Sequence, residues 1–426
     1  MSGFGITPGF TSSGGASGTV LGPYNRIEYW CSPSADSSTT HNTGGWPDAW
    51  TRFYDGVYTW TKPSNINTSL PLKVWVYGPG GNSGTYSSSG NSYGGGAGGM
   101  AYKEIAIASL GATETVTVGQ AHATTRNSRG TNSSFGSHCS ATPGNDGQNS
   151  SNPSGNPMAT GESTNPQASI NSGYAQGGIG VGGDINRRGG QGGQGSNDPG
   201  SGYGGGGGGA PGFHGHADGG NGGRGTSYSG GSGGSIHFNG SYPHTTYCPP
   251  GGAGTAGVGN GPYDGGERRT SGGSGGAGLF GSGGVGGSGR WYDNNDNMKP
   301  NGTNGRSGEG GAIWDPNMLF LGGGGGGGSP SIRGSSSVWT MNGGCGGPGA
   351  GGGAVSAYGS SNDTRGSIGG HGGVLGGAGG SGQYQTGGTA GLAGGAGGTG
   401  YDGQTRQQMG TQGGGSGLIV IQYAVE

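Results

Sequence analysis

Apolar and polar positions alternate in short runs over the first quarter of the chain: Arg26-Ile-Glu-Tyr-Trp-Cys31, Val57-Tyr-Thr-Trp60, Leu72-Lys-Val-Trp-Val-Tyr77, Tyr102-Lys-Glu-Ile-Ala-Ile107 and Thr113-Glu-Thr-Val-Thr-Val118. Each run is β-branched or aromatic and bounded by turn residues, which predicts strands. A period of two sends Val74 and Val76 to one face and Lys73, Trp75 and Tyr77 to the other, and it sets Val116 and Val118 against Thr115 and Thr117. One buried face per strand is the expectation. The most apolar run is the last, Gly417-Leu-Ile-Val-Ile-Gln-Tyr-Ala-Val-Glu426. Such a strand needs a partner sheet, and only the N-terminal region offers one. The two ends are therefore expected to meet in a small antiparallel β-sandwich.

Between those ends the period changes from two to three. Positions 370, 373, 376, 379, 382, 388, 391, 394, 397, 400 and 403 are all Gly, interrupted only by Gln385. Further registers run Gly272, Gly275, Gly278, Gly281, Gly284, Gly287, then Gly343, Gly346, Gly349, Gly352, and Gly177, Gly180, Gly183. Three residues per turn is polyproline II geometry, which has no internal hydrogen bonds and points its N–H and C=O groups outward. Once buried, those groups need partners. With Gly on the facing edges, such helices approach closely enough to bond one another. The sequence thus predicts a mostly β fold plus an inserted bundle of packed polyglycine II helices.

Composition narrows the alternatives. The chain has 426 residues, of which 124 are Gly, and average usage is near 7%. Collagen would need Gly at every third place throughout with abundant Pro, and Pro is only 21. Disorder follows from low hydrophobicity with high net charge, whereas this chain has a formal charge of -2 and carries 8 Trp, 19 Tyr and 8 Phe. The same neutrality argues against nucleic acid, which needs clustered cations; the adjacent pairs are Arg187-Arg188 and Arg268-Arg269. No signal-peptide pattern opens the sequence and no long apolar stretch predicts membrane insertion. Cys31, Cys139, Cys248 and Cys345 form no CxxC pair, so neither a zinc site nor a compact disulfide framework is expected.

Four segments in order carry a family resemblance: Tyr58-Thr-Trp-Thr-Lys-Pro63, Leu72-Lys-Val-Trp-Val-Tyr-Gly-Pro-Gly-Gly81, Tyr93-Gly-Gly-Gly-Ala-Gly-Gly-Met-Ala-Tyr102 and Thr115-Val-Thr-Val-Gly119, closed by Gly413-Gly-Gly-Ser-Gly-Leu-Ile-Val-Ile-Gln-Tyr423. Together they resemble the glycine-rich domain of phage tail proteins over residues 57–426. The middle is similar to the distal adhesins of T-even-like phages, whose polyglycine II helices carry host-recognition loops. The first glycine burst departs from that pattern, diluted by Asn82-Ser-Gly-Thr-Tyr-Ser-Ser-Ser-Gly-Asn91, and no fibre-attachment or self-cleavage segment is recognisable.

The resemblance implies a virion protein, made in the host cytoplasm, whose partners are a host surface glycan or outer-membrane protein and other virion tail proteins, with a homotrimer as one possible state. The expected organisation is 1–56 as an N-terminal segment and candidate attachment region, 57–120 as the β-sandwich strands, 121–412 as the glycine-rich bundle, and 413–426 as the closing strand.

Chemistry is expected in insertions between the glycine registers, where Tyr and Trp mix with Ser, Gly and Asn. Rigid aromatics give contact area at small entropy cost and small polar groups adapt, as in paratopes. Aromatic faces stack on sugar C–H surfaces, which makes Tyr242, His244, Trp291, Tyr292, Trp314, Trp339 and Tyr358 the receptor-binding candidates. The pair His214-Gly-His216, with Asp218 nearby, has the HxH spacing of an iron site but is one isolated pair. No cofactor is called for, and no HExxH motif or phosphate-binding Lys-Ser/Thr accompanies the glycine runs, so an enzyme is not expected. Two alternatives to an adhesin remain. A purely structural fibre or decoration protein predicts short uniform loops, and an ice-binding protein predicts regular Thr or Ala rows in the glycine registers.

Overall fold

The computed structural model describes residues 24–31, 56–84, 93–121, 130–147, 175–195, 204–213, 217–225, 230–236, 238–240, 252–253, 343–346, 349–354, 368–381, 386–399 and 413–426. These residues are strand, extended chain and tight turns, with one short 3-10 helix, Ile107–Ser109. The strands are β1 (Arg26–Cys31), β2 (Gly56–Thr61), β3 (Leu72–Tyr77), β4 (Met100–Ile105), β5 (Thr113–Val118), β6 (Ser133–Phe135), β7 (Cys139–Ala141), β8 (Gly180–Val181), β9 (Ile185–Arg187) and β10 (Leu418–Tyr423). They form two antiparallel sheets, ordered β1-β10-β3-β4-β9 and β2-β5-β6-β7-β8.

The last strand lies inside its sheet. β10 pairs with β1 on one side, Trp30 opposite Ile419, and with β3 on the other, Val420 opposite Trp75. All six of its residues are buried. β1 falls within the 1–56 segment set apart on sequence grounds, yet it closes this sheet against the C-terminal strand. Strands β6 to β9 likewise come from the stretch 121–412 expected to be glycine-rich bundle.

The alternating positions of both sheets meet in one apolar cluster: Val74, Val76, Ile419 and Ile421 from the first, Trp60, Val116, Val118 and Phe135 from the second. The Trp60 ring packs edge-on against Phe135 and Tyr423. The expectation of one buried face per strand fails for β3, whose Trp75 and Tyr77 are buried as well. Those two belong to a second cluster with Leu418, Val420, Phe213, Ile236, Leu375 and Ala393. The physical reason is that the glycine-rich segments return to the sheet and cover its other face.

The glycine segments bond one another in steps of three. Segment 204–210 illustrates the rule. Gly204, Gly207 and Ala210 donate to the carbonyls of Ser381, Ala378 and Leu375, while Gly206 and Gly209 donate to those of Gly223 and Gly220. The Gly204 and Gly207 carbonyls accept from Gly231 and Gly234, and those of Gly206 and Gly209 accept from Gly193 and Gly190. Gly395 and Gly398 donate to Gly208 and Gly205, and Gly208 donates to Gly95. The segment is thus bonded on all sides, to 94–97, 190–193, 220–223, 231–234, 375–381 and 395–398. A Cβ at Gly207 would land on the Gly395 carbonyl oxygen, and one at Gly205 on that of Gly193. Close backbone approach therefore demands glycine at these positions.

Candidate functional site

The segments run alternately away from and toward the sheets, which gives the lattice two distinct ends. Gly78 follows β3 and pairs with Gly99, which precedes β4, while further out Gly84 donates to Tyr93 at 2.8 Å. Segment 188–194 leaves after β9, and 204–210 returns antiparallel to it. That return ends at Phe213, whose carbonyl accepts the Trp75 indole N–H at 2.9 Å and whose ring packs edge-on against Tyr77. Segment 217–225 runs parallel to 188–194, Gly219, Gly222 and Gly225 donating to Arg188, Gln191 and Gln194, and so leaves again. Segments 349–354, 375–381 and 393–399 also leave, and 368–373, 386–392 and 413–417 return.

The consequence concerns the segments between them. Residues flanking 85–92, 148–174, 196–203, 226–229, 355–367, 382–385 and 400–412 all lie at the distal end, opposite the sheets. Gly343, which closes 254–342, is there too, donating to Ile368 at the start of a returning segment.

All seven receptor-binding candidates lie outside the described residues, so only their attachment is placed. Tyr358 falls between two distal residues, 354 and 368. Trp291, Tyr292, Trp314 and Trp339 precede the distal Gly343. Tyr242 and His244 follow Gly240, on a segment heading away from the sheets and bonded to Asn221.

His214 and His216 also lie outside the described residues, and the residues flanking them, Phe213 and Ala217, sit at the sheet end. The neighbouring Asp218 is described, and its Oδ1 accepts the Arg188 backbone N–H at 2.9 Å. Among the described residues no group of three His, Cys, Asp or Glu is placed to hold a metal ion.

Asp218 belongs to a lateral boundary that sequence reasoning missed. Asn221 Oδ1 accepts the Gln191 N–H and Asn239 Oδ1 accepts the Asn221 N–H, both at 2.8 Å. Side-chain oxygens here take the place of the carbonyls that a further glycine segment would supply. The signal in the sequence was the step of three itself, which puts Asp218 and Asn221 in one row.

Gly230-Gly-Ser232-Gly-Gly234 has the G-x-S-x-G spacing of a nucleophile elbow. Ser232 is fully buried there, and its carbonyl accepts the Gly223 N–H at 2.7 Å. Cys31 and Cys139 are buried, and burial pushes the Cys139 thiol up to about 12. The Cys139 shift is the opposite of the depressed thiol that a nucleophile needs. No described helix is long and apolar enough to cross a membrane. In comparisons with known proteins, no family model matches the chain and no curated protein is significantly similar to it.

Proposed function

We propose that the chain is a phage virion adhesin, a tail-fibre or tail-tip protein that binds a host-surface receptor through segments carried on a polyglycine II scaffold. The observation that carries this reading is the polarity of the lattice: the sheets occupy one end, and the residues flanking 355–367, together with Gly343 at the close of 254–342, lie at the other. A binding protein needs that separation of mount from contact surface.

The scaffold is read as polyglycine II because the hydrogen bonds of 204–210 advance by three on each side, as three residues per turn requires. At about 3.1 Å per residue the segment spans roughly 20 Å. The two sheets sharing one core form the β-sandwich frame, built from the strands of 57–120 with β1, β6 to β9 and the closing strand. A dense network of bonds worth about 1 kcal/mol each offsets the large ordering cost of glycine.

The receptor class is a host glycan or outer-membrane protein, because the candidate segments mix stacking aromatics with small polar residues. Other virion tail proteins meet the sheet end, leaving the distal end free. A purely structural fibre would add copies side by side through open backbone edges. The Asp218, Asn221 and Asn239 carboxylate and amide oxygens instead close one lateral edge.

Immunogold labelling of virions with an antibody to this chain tests the reading. Gold confined to fibre tips is expected, and gold spread along a shaft would overturn it in favour of a structural fibre. For the surface itself, Trp291→Ala with Trp314→Ala and Trp339→Ala is expected to lower adsorption to host cells at least about tenfold, since buried aromatic anchors dominate such contacts.

A further inference from the structure

The outer face of the second sheet is unusual for a surface facing water. Cross-strand register aligns Val57, Thr117, Ser134, Ser140 and Val181 in one row running over β2, β5, β6, β7 and β8. Their neighbours along the strands point inward, Tyr58, Val116, Phe135 and Cys139 forming the facing row of the core. Further along β2 and β5, Thr59 opposes Thr115 and Thr61 opposes Thr113. None of these outer positions is charged. Val57 is 70% exposed and Val181 43%, the exposed large hydrophobics among the described residues, and they stand at opposite ends of the same row. Exposed sheets ordinarily carry charges that discourage association.

We propose that this face packs against the same face of a second copy of the chain. The argument for that occupant is the row's own symmetry. Read from either end it runs Val, hydroxyl residue, Ser134, hydroxyl residue, Val. A two-fold axis lying in the interface along β6 would set Val57 over Val181 of the second copy, Thr117 over Ser140, and Ser134 over its own counterpart. Isologous contacts require this self-complementarity. Methyl and hydroxyl groups with no net charge can stack about 10 Å apart without desolvating an ion.

Size sets the strength. Five strands spaced about 4.8 Å and averaging about four residues of about 3.4 Å each cover roughly 330 Å² per copy. A standard stable interface buries about 800 Å² per partner. The contact is therefore a weak, concentration-dependent dimer that gains from copies already held side by side. It stands apart from the receptor-binding reading, because it uses the opposite end of the molecule.

Analytical ultracentrifugation of the full chain from about 1 µM to about 1 mM tests the proposal. A monomer–dimer equilibrium is expected, weakened at least about tenfold by Val57→Lys or Val181→Lys, because each would desolvate an unpaired ammonium. The double variant Val57→Lys/Val181→Glu is expected to restore association, since the axis pairs the two sites between copies. A melting temperature equal to wild type confirms that the variants fold. A monomer throughout, a trimer, association indifferent to Val57→Lys, or a double variant no better than Val57→Lys would each overturn it.

Discussion

The Tyr423 hydroxyl donates to the Glu28 carboxylate at 2.6 Å, although 395 positions separate the two residues. The same carboxylate accepts the indole N–H of Trp30 at 3.1 Å and of Trp60 at 3.4 Å. Trp30 and Tyr423 belong to the first sheet and Trp60 to the second, so one half-buried side chain ties the two sheets together at the joined ends of the chain. Charge-assisted bonds of this type contribute about 1.5–3 kcal/mol, and removing the acceptor strands its donors. Glu28→Ala is expected to cost about 3 kcal/mol and Tyr423→Phe about 1 kcal/mol. Urea denaturation with an unchanged m-value checks both.

Tyr77 supplies a case of the opposite sign. Its side chain is fully buried and its hydroxyl has no hydrogen-bond partner among the described residues. A buried polar group without a partner costs about 1–3 kcal/mol. Tyr77→Phe keeps the edge-on contact with Phe213 and is expected to raise stability by about 1 kcal/mol. A loss of stability would show that the hydroxyl is held by something that phenylalanine cannot hold.

Alkaline pH acts through the same kind of group. Burial raises the phenol of Tyr77; burial and then the Glu104 bond raise Tyr102; burial and then the Glu28 bond raise Tyr423. Burial also pushes the Cys139 thiol up to about 12 from 9.0. In the unfolded chain Cys139 loses its proton near pH 9 and the tyrosines near about 10, while the folded chain still holds them. The unfolded state is then favoured, so stability is complete below pH 9 and falls as pH rises above it. Denaturation midpoints measured at intervals from neutral pH to about 11 are expected to drop, and Cys139→Ala should flatten the earliest part of the fall.

Substitutions in the lattice separate close packing from mere glycine content. A Cβ at Gly207 would overlap the Gly395 carbonyl, a backbone atom that cannot turn aside, whereas among the described residues Gly413 has nothing within 4 Å of the equivalent position. Gly207→Ala is expected to destabilise the fold by at least about 3 kcal/mol, at the upper end of overpacking costs. Gly413→Ala should leave it unchanged or slightly improved through the unfolded chain. Limited proteolysis of both variants against wild type provides the comparison.

Much of this architecture is legible in the sequence, for identifiable reasons. Period-two alternation sends Val74, Val76, Val116 and Val118 to the shared core, and the apolar 418–423 run finds partners among the N-terminal strands. The second buried face of β3 is not legible, because Trp75 and Tyr77 in a run with Lys73 read as an exposed aromatic face until returning segments cover them. Strands β6 to β9 have two or three residues each, too few for any period to show. The aromatic candidates were found by composition alone. What the fold adds is where their segments join the lattice.

The two turns that cover the first sheet show how side chain and backbone trade against each other. At Gly373-Val374-Leu375-Gly376 and at Gly391-Leu392-Ala393-Gly394 the fourth N–H donates to the first carbonyl, and Leu375 and Ala393 hold φ of 61° and 58°. Position three of such a turn ordinarily takes glycine, because a Cβ there costs roughly 1–2 kcal/mol. Both side chains are fully buried against the sheet with Trp75, Tyr77 and Val420. Burying a leucine is worth about 2–5 kcal/mol by truncation, which exceeds the strain, whereas an alanine methyl contributes about 1 kcal/mol and barely matches it. Leu375→Gly is therefore expected to destabilise by about 2 kcal/mol and Ala393→Gly to stay within about 1 kcal/mol of wild type. Thermal melts of the two variants decide it: a gain of stability in both would mean that backbone strain, and not the apolar contact with the sheet, governs both turns.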